Sequence, residues 1–232
     1  MKTFISFSFG LWLAMCGNSS FADENQLSPT EKSTGWQLLF DGSDLSQWRN
    51  FKQENLNSGW TACNGTLKLS TSGAGDILTK ASYHNFDLAL EWKIAEGGNS
   101  GIFILVDELG QNIYSHAPEI QILDNQRHSD NKIDSHRSGS LYDMVAADQS
   151  AFKPAGEWNQ VHIRLKDNFL QIWQNGVNTT SIVIGSSTWN TLLASSKFAS
   201  WQGFAQGKKG HIGLQDHGDT VWFKNIKIRE LN

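Results

Sequence analysis

Cysteine, proline and tyrosine are scarce in this chain of 232 residues, which contains 2 Cys, 3 Pro and 3 Tyr. Two cysteines cannot build the disulfide framework of small secreted domains, so stability must come from packing. Beyond the N-terminal stretch, no apolar run is long enough to cross a bilayer, so an integral membrane segment is not expected. The formal net charge is -4 and no basic run occurs, which argues against nucleic acid as the main partner.

Tryptophan, by contrast, is frequent, with 10 residues in the chain. Its ring offers a flat apolar face on which a sugar can stack, although most Trp residues serve a core. Candidate stacking platforms are Trp48, Trp60, Trp158, Trp201 and Trp222.

The N-terminus has the pattern of a secretory signal peptide over residues 1–22. Lys2 precedes an apolar run, and Ser20-Phe21-Ala22 forms a small-x-small cleavage site, so we expect a secreted or periplasmic protein. An alternative is lipid attachment at Cys16, against which Met15 counts because a lipoprotein box has a small residue there.

Cleavage after Ala22 would leave Cys63 as the only cysteine, in which case no internal disulfide could form. Residues 23–34 are polar and lack periodicity, which predicts a flexible leader. Residues 35–232 are then expected to form a single domain, since all-β sandwiches often reach this length undivided.

Short segments rich in β-branched and aromatic residues, separated by Gly, Asn and Asp, predict about 12 to 14 antiparallel strands with little helix. Strict alternation marks a strand at Phe86–Ile94, and Asn64-Gly65 predicts a type I′ hairpin turn. A second hairpin is expected around Lys166-Asp167. Residues 186–204 break the pattern and favour a short helix or an irregular lid.

The C-terminal strands, at residues 211–216 and 221–230, are expected to pair with each other across the turn His217-Gly218-Asp219. The fold class that follows is all-β, a jelly-roll sandwich of two antiparallel sheets. Because twist curves such a sheet, a ligand is expected on the concave face.

One stretch, residues 115–128, combines strand alternation with chemically capable groups. Ile120 and Ile122 would face the core, and Glu119 and Gln121 would share the opposite face. Loop residues that follow are Asp124, Asn125 and His128. The face is either a sugar or catalytic surface or the solvated side of an ordinary antiparallel sheet.

Several long motifs, in one order, together resemble the 3-keto-disaccharide hydrolase domain family. They are GWQLLFDGSDLSQW, GGNSGIFI, PEIQILDN, SGSLYD, KPAGEWNQV, QNGV and GHIGLQDHGDTVWFKNIKIREL. The resemblance runs from about Gly35 to Leu231. It implies a fold similar to the concanavalin A-like lectins and glucanases, and an enzyme that cleaves the glycosidic bond of a sugar oxidised to a ketone at C3.

Two routes of cleavage are open. Ordinary glycosidases use two carboxyl groups, for which Glu91 and Glu119 are the natural pair and Asp124 a further candidate. Alternatively, the C3 ketone acidifies the proton on C2, so that a base could remove it and expel the C1 oxygen. His217 is the first candidate base, with Asp216 and Asp219 to orient it, and His128 is the second.

Further residues are expected to bind the substrate: Gln121, Asn125, His128, Tyr142, Lys197, Gln215, Asp216 and Trp222. Arg49 is another candidate for contact with sugar hydroxyls, although a solvated charge would explain it too. A divalent metal is possible, because hard and borderline ligands are present in His116, Glu119, Asp124, His128, Asp216 and His217, but no pair has a diagnostic spacing.

Two other functions remain open at this point. A non-catalytic carbohydrate-binding module would use the same sandwich, Trp residues and polar strand face, because fold does not settle function. A structural or adhesive surface protein would show no saturable sugar binding.

Overall fold

Two antiparallel β-sheets lie face to face in the computed structural model, which describes residues 24–232. Thirteen strands and little helix are found within this range. The all-β sandwich of two antiparallel sheets expected from the sequence is therefore confirmed.

The larger sheet has eight strands. Their bounds are β1 Gln37–Leu38, β3 Trp60–Cys63, β4 Thr66–Leu69, β6 Phe86–Ile94, β9 Asn159–Lys166, β10 Phe169–Gln174, β11 Val177–Val183 and β13 Val221–Glu230. The order is β11-β10-β9-β6-β13-β4-β3, and β1 also pairs with β13.

The smaller sheet has five strands in the order β2-β5-β12-β7-β8. Their bounds are β2 Trp48–Asn50, β5 Ile77–Thr79, β7 Asn99–Val106, β8 Glu119–Leu123 and β12 His211–Leu214. β8 is an edge strand, but isolated bridges from Leu141 to Ile120 and to Val145 cover part of its edge.

Helical segments are short. α-Helices are α1 Pro29–Ser33 and α2 Ser187–Ser195, and 3-10 turns occupy Ile113–Ser115, Ser129–Lys132, Asp134–His136, Gln149–Ala151 and Lys197–Ser200. α2 and the turn after it confirm the helical reading of residues 186–204. The Ser186 hydroxyl caps α2 by accepting from the Trp189 amide, which satisfies one of the unpaired donors of a helix start.

Residues 24–34 are not the flexible leader expected from their composition. Ser28 and Glu31 form a capping box around α1, and Glu31 also pairs with Lys227 of β13. The Asn25 and Asn225 side chains exchange hydrogen bonds with each other's backbone amides, at 2.6 and 2.8 Å. These contacts to β13 hold the segment on the larger sheet, a long-range effect that local composition does not reveal.

The core between the sheets follows from alternation along the strands. Leu88, Leu90, Trp92 and Ile94 of β6 point inward, and Ile102 of β7 and Ile120 of β8 meet them from the smaller sheet. Burial of such side chains contributes roughly 1.5 to 3 kcal/mol each, so this layer is the main source of stability.

A second apolar cluster lies on the outer face of the smaller sheet. It consists of Leu78, Phe103, Val106, Ile113 and Ala117. Ile113 belongs to the 3-10 turn that covers this end of the face. Polar side chains of this face therefore lie at its other end, where β7 begins beside β8.

Both predicted hairpins are found. Asn64 and Gly65 have φ of 50° and 70° between β3 and β4, which is the positive-φ pair that a type I′ turn requires. β9 and β10 form the second hairpin. The expected pairing of the two C-terminal strands is wrong, because β12 lies in the smaller sheet and β13 in the larger one. The turn at residue 217 crosses between sheets.

The expected cleavage after Ala22 and the alternative at Cys16 fall outside the described residues. Cys63 lies at the end of β3, and the expectation that depends on cleavage at Ala22 stays a prediction. Among residues 24–232, no helix is long and apolar enough to cross a membrane.

Candidate active site

The polar end of the smaller sheet is formed by β7 and β8. Glu119 lies opposite Phe103, Gln121 opposite Gly101 and Leu123 opposite Asn99. Directly opposed residues of antiparallel strands share a face, so the Glu119, Gln121 and Asn99 side chains stand on the outer face. The alternation in residues 115–128 predicted this arrangement for β8.

A cavity of about 360 Å³ opens above these residues. The sheet and the strand ends supply its floor, and the loops around residues 114, 142 and 197–201 supply its walls. It is lined by Asn99, Tyr114, Ala117, Glu119, Gln121, Tyr142, Lys197, Phe198, Trp201, Gln215 and His217. Glu119 and His217, which are separated by almost a hundred residues in the sequence, thus share one cavity.

Glu119 is the most perturbed carboxyl group of the cavity. It is 8% exposed, and its carboxyl accepts no hydrogen bond from any residue in the described range. Burial raises its pKa to about 8; Lys197 opposes this rise, and Asp76 and Asp130 add to it. At neutral pH the group is therefore mainly protonated, which makes it able to donate a proton.

Gly101 provides the space in which the Glu119 carboxyl lies. A Cβ atom at position 101 would stand 2.3 Å from Glu119 Oε1 and 2.9 Å from its Cδ. The carboxyl thus lies flat across β7, against a residue without a side chain.

Three side-chain amides line the same cavity as the carboxyl, those of Asn99, Gln121 and Gln215. They are 5%, 1% and 8% exposed, and the oxygen of each is buried without a hydrogen-bond partner in the described chain. Most buried polar atoms in folded proteins are paired, and an unpaired one costs roughly 1 to 3 kcal/mol. A ligand that carries several hydroxyl groups would satisfy all three.

Lys197 brings a positive charge into the cavity among aromatic rings. Its Nζ lies 4.1 Å from the Tyr142 ring centre, 5.2 Å from that of Phe198 and 5.9 Å from that of Trp201. Such contacts stabilise a cation, whereas partial burial lowers the pKa of Lys197, against the attraction of nearby carboxylates. No carboxylate of the described residues lies within ion-pair distance of it, so the ammonium can serve a ligand.

His217 lies at the cavity rim, with its ring 6.3 Å from that of His128 in an edge-to-face arrangement. The His128 Nδ1 accepts a hydrogen bond from the Asp130 amide at 3.1 Å. Neither Asp216 nor Asp219 orients the His217 ring, contrary to expectation. Asp216 accepts from the Gly75 and Gly218 amides, and Asp219 accepts from the Asn99 amide.

Asp124 and Asn125 support loops and do not line the cavity. The Asp124 carboxylate accepts from the Gly97 amide at 2.7 Å and from the Gln126 amide at 3.0 Å. The Asn125 side-chain oxygen accepts from the Ser138 amide at 2.8 Å. Both side chains shape the turns at the end of β8.

Glu91 and Trp222 lie on the outer face of the larger sheet, on the opposite side of the sandwich from Glu119. Asn225 donates to Glu91 at 2.8 Å, and the Trp222 ring is covered by the ammonium groups of Lys68 and Lys93. The expected pairing of Glu91 with Glu119 is therefore not what the structure shows. Sequence alternation assigns a residue to a face of its strand but not to one of two sheets.

The Trp candidates separate in the same way. Trp48 and Trp60 are core residues, Trp158 stands beside Lys93 and Lys224 on the larger sheet, and Trp201 lines the cavity. Arg49 forms a two-pronged ion pair with Glu108, outside the cavity.

The residues proposed as metal ligands do not assemble. Within residues 24–232, no group of three or more His, Cys, Asp or Glu side chains could hold a metal ion. His116 Nδ1, for example, lies 2.8 Å from Asp107 Oδ1.

Five residues of the site region were not singled out from the sequence: Asn99, Tyr114, Ala117, Phe198 and Asp76. Asn99 begins β7 directly after Gly97 and Gly98, and the strand pattern that follows it is the signal that could have identified it. Burial raises the pKa of Asp76 to about 6. The Asp216 backbone amide donates a hydrogen bond to Asp76, which lowers this pKa, whereas the charge of the Asp216 carboxylate raises it. No local pattern marks Asp76, because it meets the loop of Asp216 through long-range folding.

Comparison with known proteins agrees with this architecture. Residues 35–229 match the family model described as the 3-keto-alpha-glucoside-1,2-lyase-like domain. The chain is 34% identical over 242 aligned positions to a 3-keto-disaccharide hydrolase of Bacteroides thetaiotaomicron, with 91% of this chain and 83% of the relative covered.

Two solved structures from Parabacteroides distasonis, both provisionally named as glycosyl hydrolases, are also similar. One is 31% identical with a TM-score of 0.84 and covers 90% of this chain and all of its own. The other is 29% identical with a TM-score of 0.68 and covers 84% of this chain and 99% of its own.

Proposed function

Because this chain belongs to the family of 3-keto-alpha-glucoside-1,2-lyase-like domains, we propose that it cleaves the glycosidic bond of a 3-keto-glycoside in the cavity above β7 and β8. The observation that carries the proposal is the environment of Glu119. A buried carboxyl without protein hydrogen bonds, beside three amides with unpaired oxygens, fits a proton donor within a site for a hydroxyl-rich ligand.

Glu119 acts in this proposal as the general acid. Cleavage of the bond between C1 and the glycosidic oxygen leaves negative charge on that oxygen. A proton from Glu119 neutralises it as the bond breaks, which makes the alcohol a better leaving group. The raised pKa of Glu119, about 8, keeps this proton available at neutral pH.

His217 acts as the base. In the elimination route it takes the proton from C2, and the electron pair of the C2–H bond forms an enolate with the C3 ketone. This pair then forms a double bond between C1 and C2 as the C1 oxygen leaves with the proton of Glu119. Water adds to the double bond, with its hydroxyl at C1 and its hydrogen at C2, to give the free 3-keto sugar. In the direct route, His217 takes a proton from a water molecule that attacks C1. Lys197 favours elimination, since its ammonium could stabilise the enolate that forms at the C3 oxygen.

The hydroxyl groups of the sugar bind to the side-chain amides of Gln121, Gln215 and Asn99. The aromatic rings of Trp201 and Tyr142 lie beside the sugar ring. His128 and Asp216 bind the substrate at the rim of the cavity, where the His128 ring packs against that of His217. This division leaves the chemistry to Glu119, His217 and Lys197.

The test compares a 3-keto-disaccharide with its unoxidised parent, each incubated with the mature protein and followed by NMR. We expect cleavage of the keto sugar alone, because only the ketone acidifies C2. If the keto sugar binds saturably but is not cleaved, the protein is a carbohydrate-binding module, the second candidate that the unpaired amides favour. Absence of both binding and cleavage would contradict both.

The two routes separate in D₂O. Elimination followed by addition of water places deuterium at C2 of the product, whereas direct hydrolysis leaves the C2 hydrogen in place. A sample of the keto product kept in D₂O without enzyme measures spontaneous exchange, which must be slower than the incorporation during turnover.

Replacing Gly101 with alanine is expected to displace the Glu119 carboxyl, because the new Cβ would stand 2.3 Å from Oε1. The side chain can rotate away, so the fold should persist, but misplacement of a catalytic group by about 1 Å costs on the order of 100-fold. Steady-state kinetics on the keto sugar and thermal unfolding measure the two effects.

Gly213 supplies the matched control, since it lies on the same face but at the apolar end. A Cβ there would meet Ile113 Cδ1 at 2.7 Å, so Gly213→Ala should lower stability and leave kcat nearly unchanged. Wild-type activity in Gly101→Ala would contradict the assigned role of the Glu119 carboxyl.

A further inference from the structure

His136 lies behind the cavity wall, bridging two carboxylates. Its Nδ1 is 2.9 Å from Asp130 Oδ1, and its Nε2 is 2.8 Å from Asp143 Oδ1. Carboxylates accept hydrogen bonds, so the two ring nitrogens of His136 each face an acceptor. The residue is 8% exposed, and a hydrogen bond to an ionised carboxylate is stronger in such a buried place than at the surface.

The second oxygen of each carboxylate reaches a residue that lines the cavity. Asp130 Oδ2 accepts from the Tyr142 hydroxyl at 3.1 Å, and Asp143 Oδ2 accepts from the Lys197 backbone amide at 2.7 Å. The imidazole is therefore connected to both Tyr142 and Lys197 through one carboxylate each.

The His136 ring also stacks on the Tyr142 ring, with 4.4 Å between centres and 29° between planes. The other neighbour of that ring is the Lys197 ammonium, 4.1 Å from its centre. Tyr142 in turn donates its backbone amide to the Glu119 carbonyl at 2.9 Å. The wall is thus tied to the strand that carries the acid.

Asp143 has a φ of 56°, a conformation that costs energy for a residue with a side chain. It keeps this conformation while its carboxylate holds both His136 and the first residue of the 3-10 turn at 197–200. The contacts of the Asp143 carboxylate therefore determine the backbone geometry at this position.

We propose that His136 is a positioning residue: by bridging Asp130 and Asp143, it fixes the Tyr142 ring and the Lys197 ammonium on the wall of the cavity that holds Glu119. The inference rests on the proposed function, because the ammonium is positioned for the substrate of that site. His136 touches no substrate itself.

Glutamine at position 136 would test the bridge. One amide group has a single donor end and cannot reach two carboxylates on opposite sides of a ring, so Asp130 and Asp143 would lose the side chain that bridges them. The expected result is a drop in kcat/KM for the 3-keto-disaccharide of about tenfold or more.

His162 offers the matched control. Its Nε2 lies 3.0 Å from Asp87 Oδ1, and its ring stacks on Trp173 with centres 5.0 Å apart, but it belongs to β9 on the other sheet. His162→Gln should therefore keep kcat/KM within about twofold of wild type, whatever its effect on thermal unfolding.

The decisive readout is a double-mutant cycle with Lys197→Met. If His136 acts through Lys197, the effect of His136→Gln on kcat/KM should shrink to less than about threefold in the Lys197→Met background. An equal drop in both backgrounds would overturn the proposal, as would wild-type kcat/KM in His136→Gln.

A second variant keeps the test decisive if His136→Gln does not unfold cooperatively. Asp143→Asn retains an oxygen for the Lys197 amide but removes one charge of the bridge, and its effect should likewise shrink in the Lys197→Met background. Wild-type turnover is measured first. Its absence would contradict the proposed function, and the same cycle would then be read from the affinity for the 3-keto-disaccharide.

Discussion

Glu119→Gln is expected to lower kcat on a 3-keto-disaccharide by about 10²- to 10⁴-fold, the usual contribution of general acid catalysis. Glutamine has nearly the same shape and can still donate a hydrogen bond, but it cannot transfer a proton to the leaving oxygen. Steady-state kinetics measures the loss. KM should change much less, because the amides of Asn99, Gln121 and Gln215 remain in place.

Glu91→Gln is the comparison that decides which carboxyl carries the chemistry. Glu91 lies on the larger sheet with Asn225 as its partner, so this variant should keep kcat within about twofold of wild type. A leaving group that needs no protonation, such as a nitrophenol, should partly restore the rate of Glu119→Gln. Equal activity of Glu119→Gln and wild type on the disaccharide would refute the assignment of the acid.

The cavity combines features that each reduce stability. Three buried amide oxygens lack partners, a carboxyl is buried without hydrogen bonds, and Asp143 is held at positive φ. Violations of ordinary folding rules are expected to concentrate at functional sites, because a site must leave groups free for its ligand. Elsewhere, the core obeys alternation closely, and its burial offsets the cost.

Local sequence patterns were sufficient for much of this architecture. Alternation identified β6 and β8 and the faces of their residues, and Asn64-Gly65 identified a hairpin turn, because both depend on neighbours in the chain. The acid candidate Glu119 followed from the same alternation, since Ile120 and Ile122 fixed which face was apolar.

Long-range pairing could not be read in the same way. β12 and β13 are adjacent in the chain but belong to different sheets, so Trp222 of β13 lies away from the cavity. Glu91 lies on that side as well, because β6 also belongs to the larger sheet. Asp76 and His136 were missed because their importance lies in contacts with distant residues. The family resemblance brought Glu119 and His217 into one hypothesis, but only the fold shows the cavity that they share.

Stability should depend on pH through Glu119, with a sign opposite to that of most carboxyl groups. Its pKa is raised to about 8 in the folded protein from an ordinary value of 4.5. Between these values the folded state binds a proton that the unfolded state has lost, so the free energy of unfolding falls as pH rises. The shift corresponds to roughly 4 to 5 kcal/mol if the site stays rigid, and the loss is complete above the folded pKa.

Glu119→Gln should therefore gain stability relative to wild type as pH rises from 5 to 9, while its activity is lost. Denaturant unfolding at several pH values measures the difference. Glu31→Gln is the control, since the pKa of Glu31 is lowered to about 2, mainly by its hydrogen bonds with Lys227 and Ser28. This carboxyl is ionised in both states from about pH 6 upward, so the stability difference of that variant from wild type should stay constant from there to pH 9. A constant difference for Glu119→Gln as well would mean that Glu119 is ionised in the folded protein at neutral pH, and the proton for the leaving group would have to come from another residue.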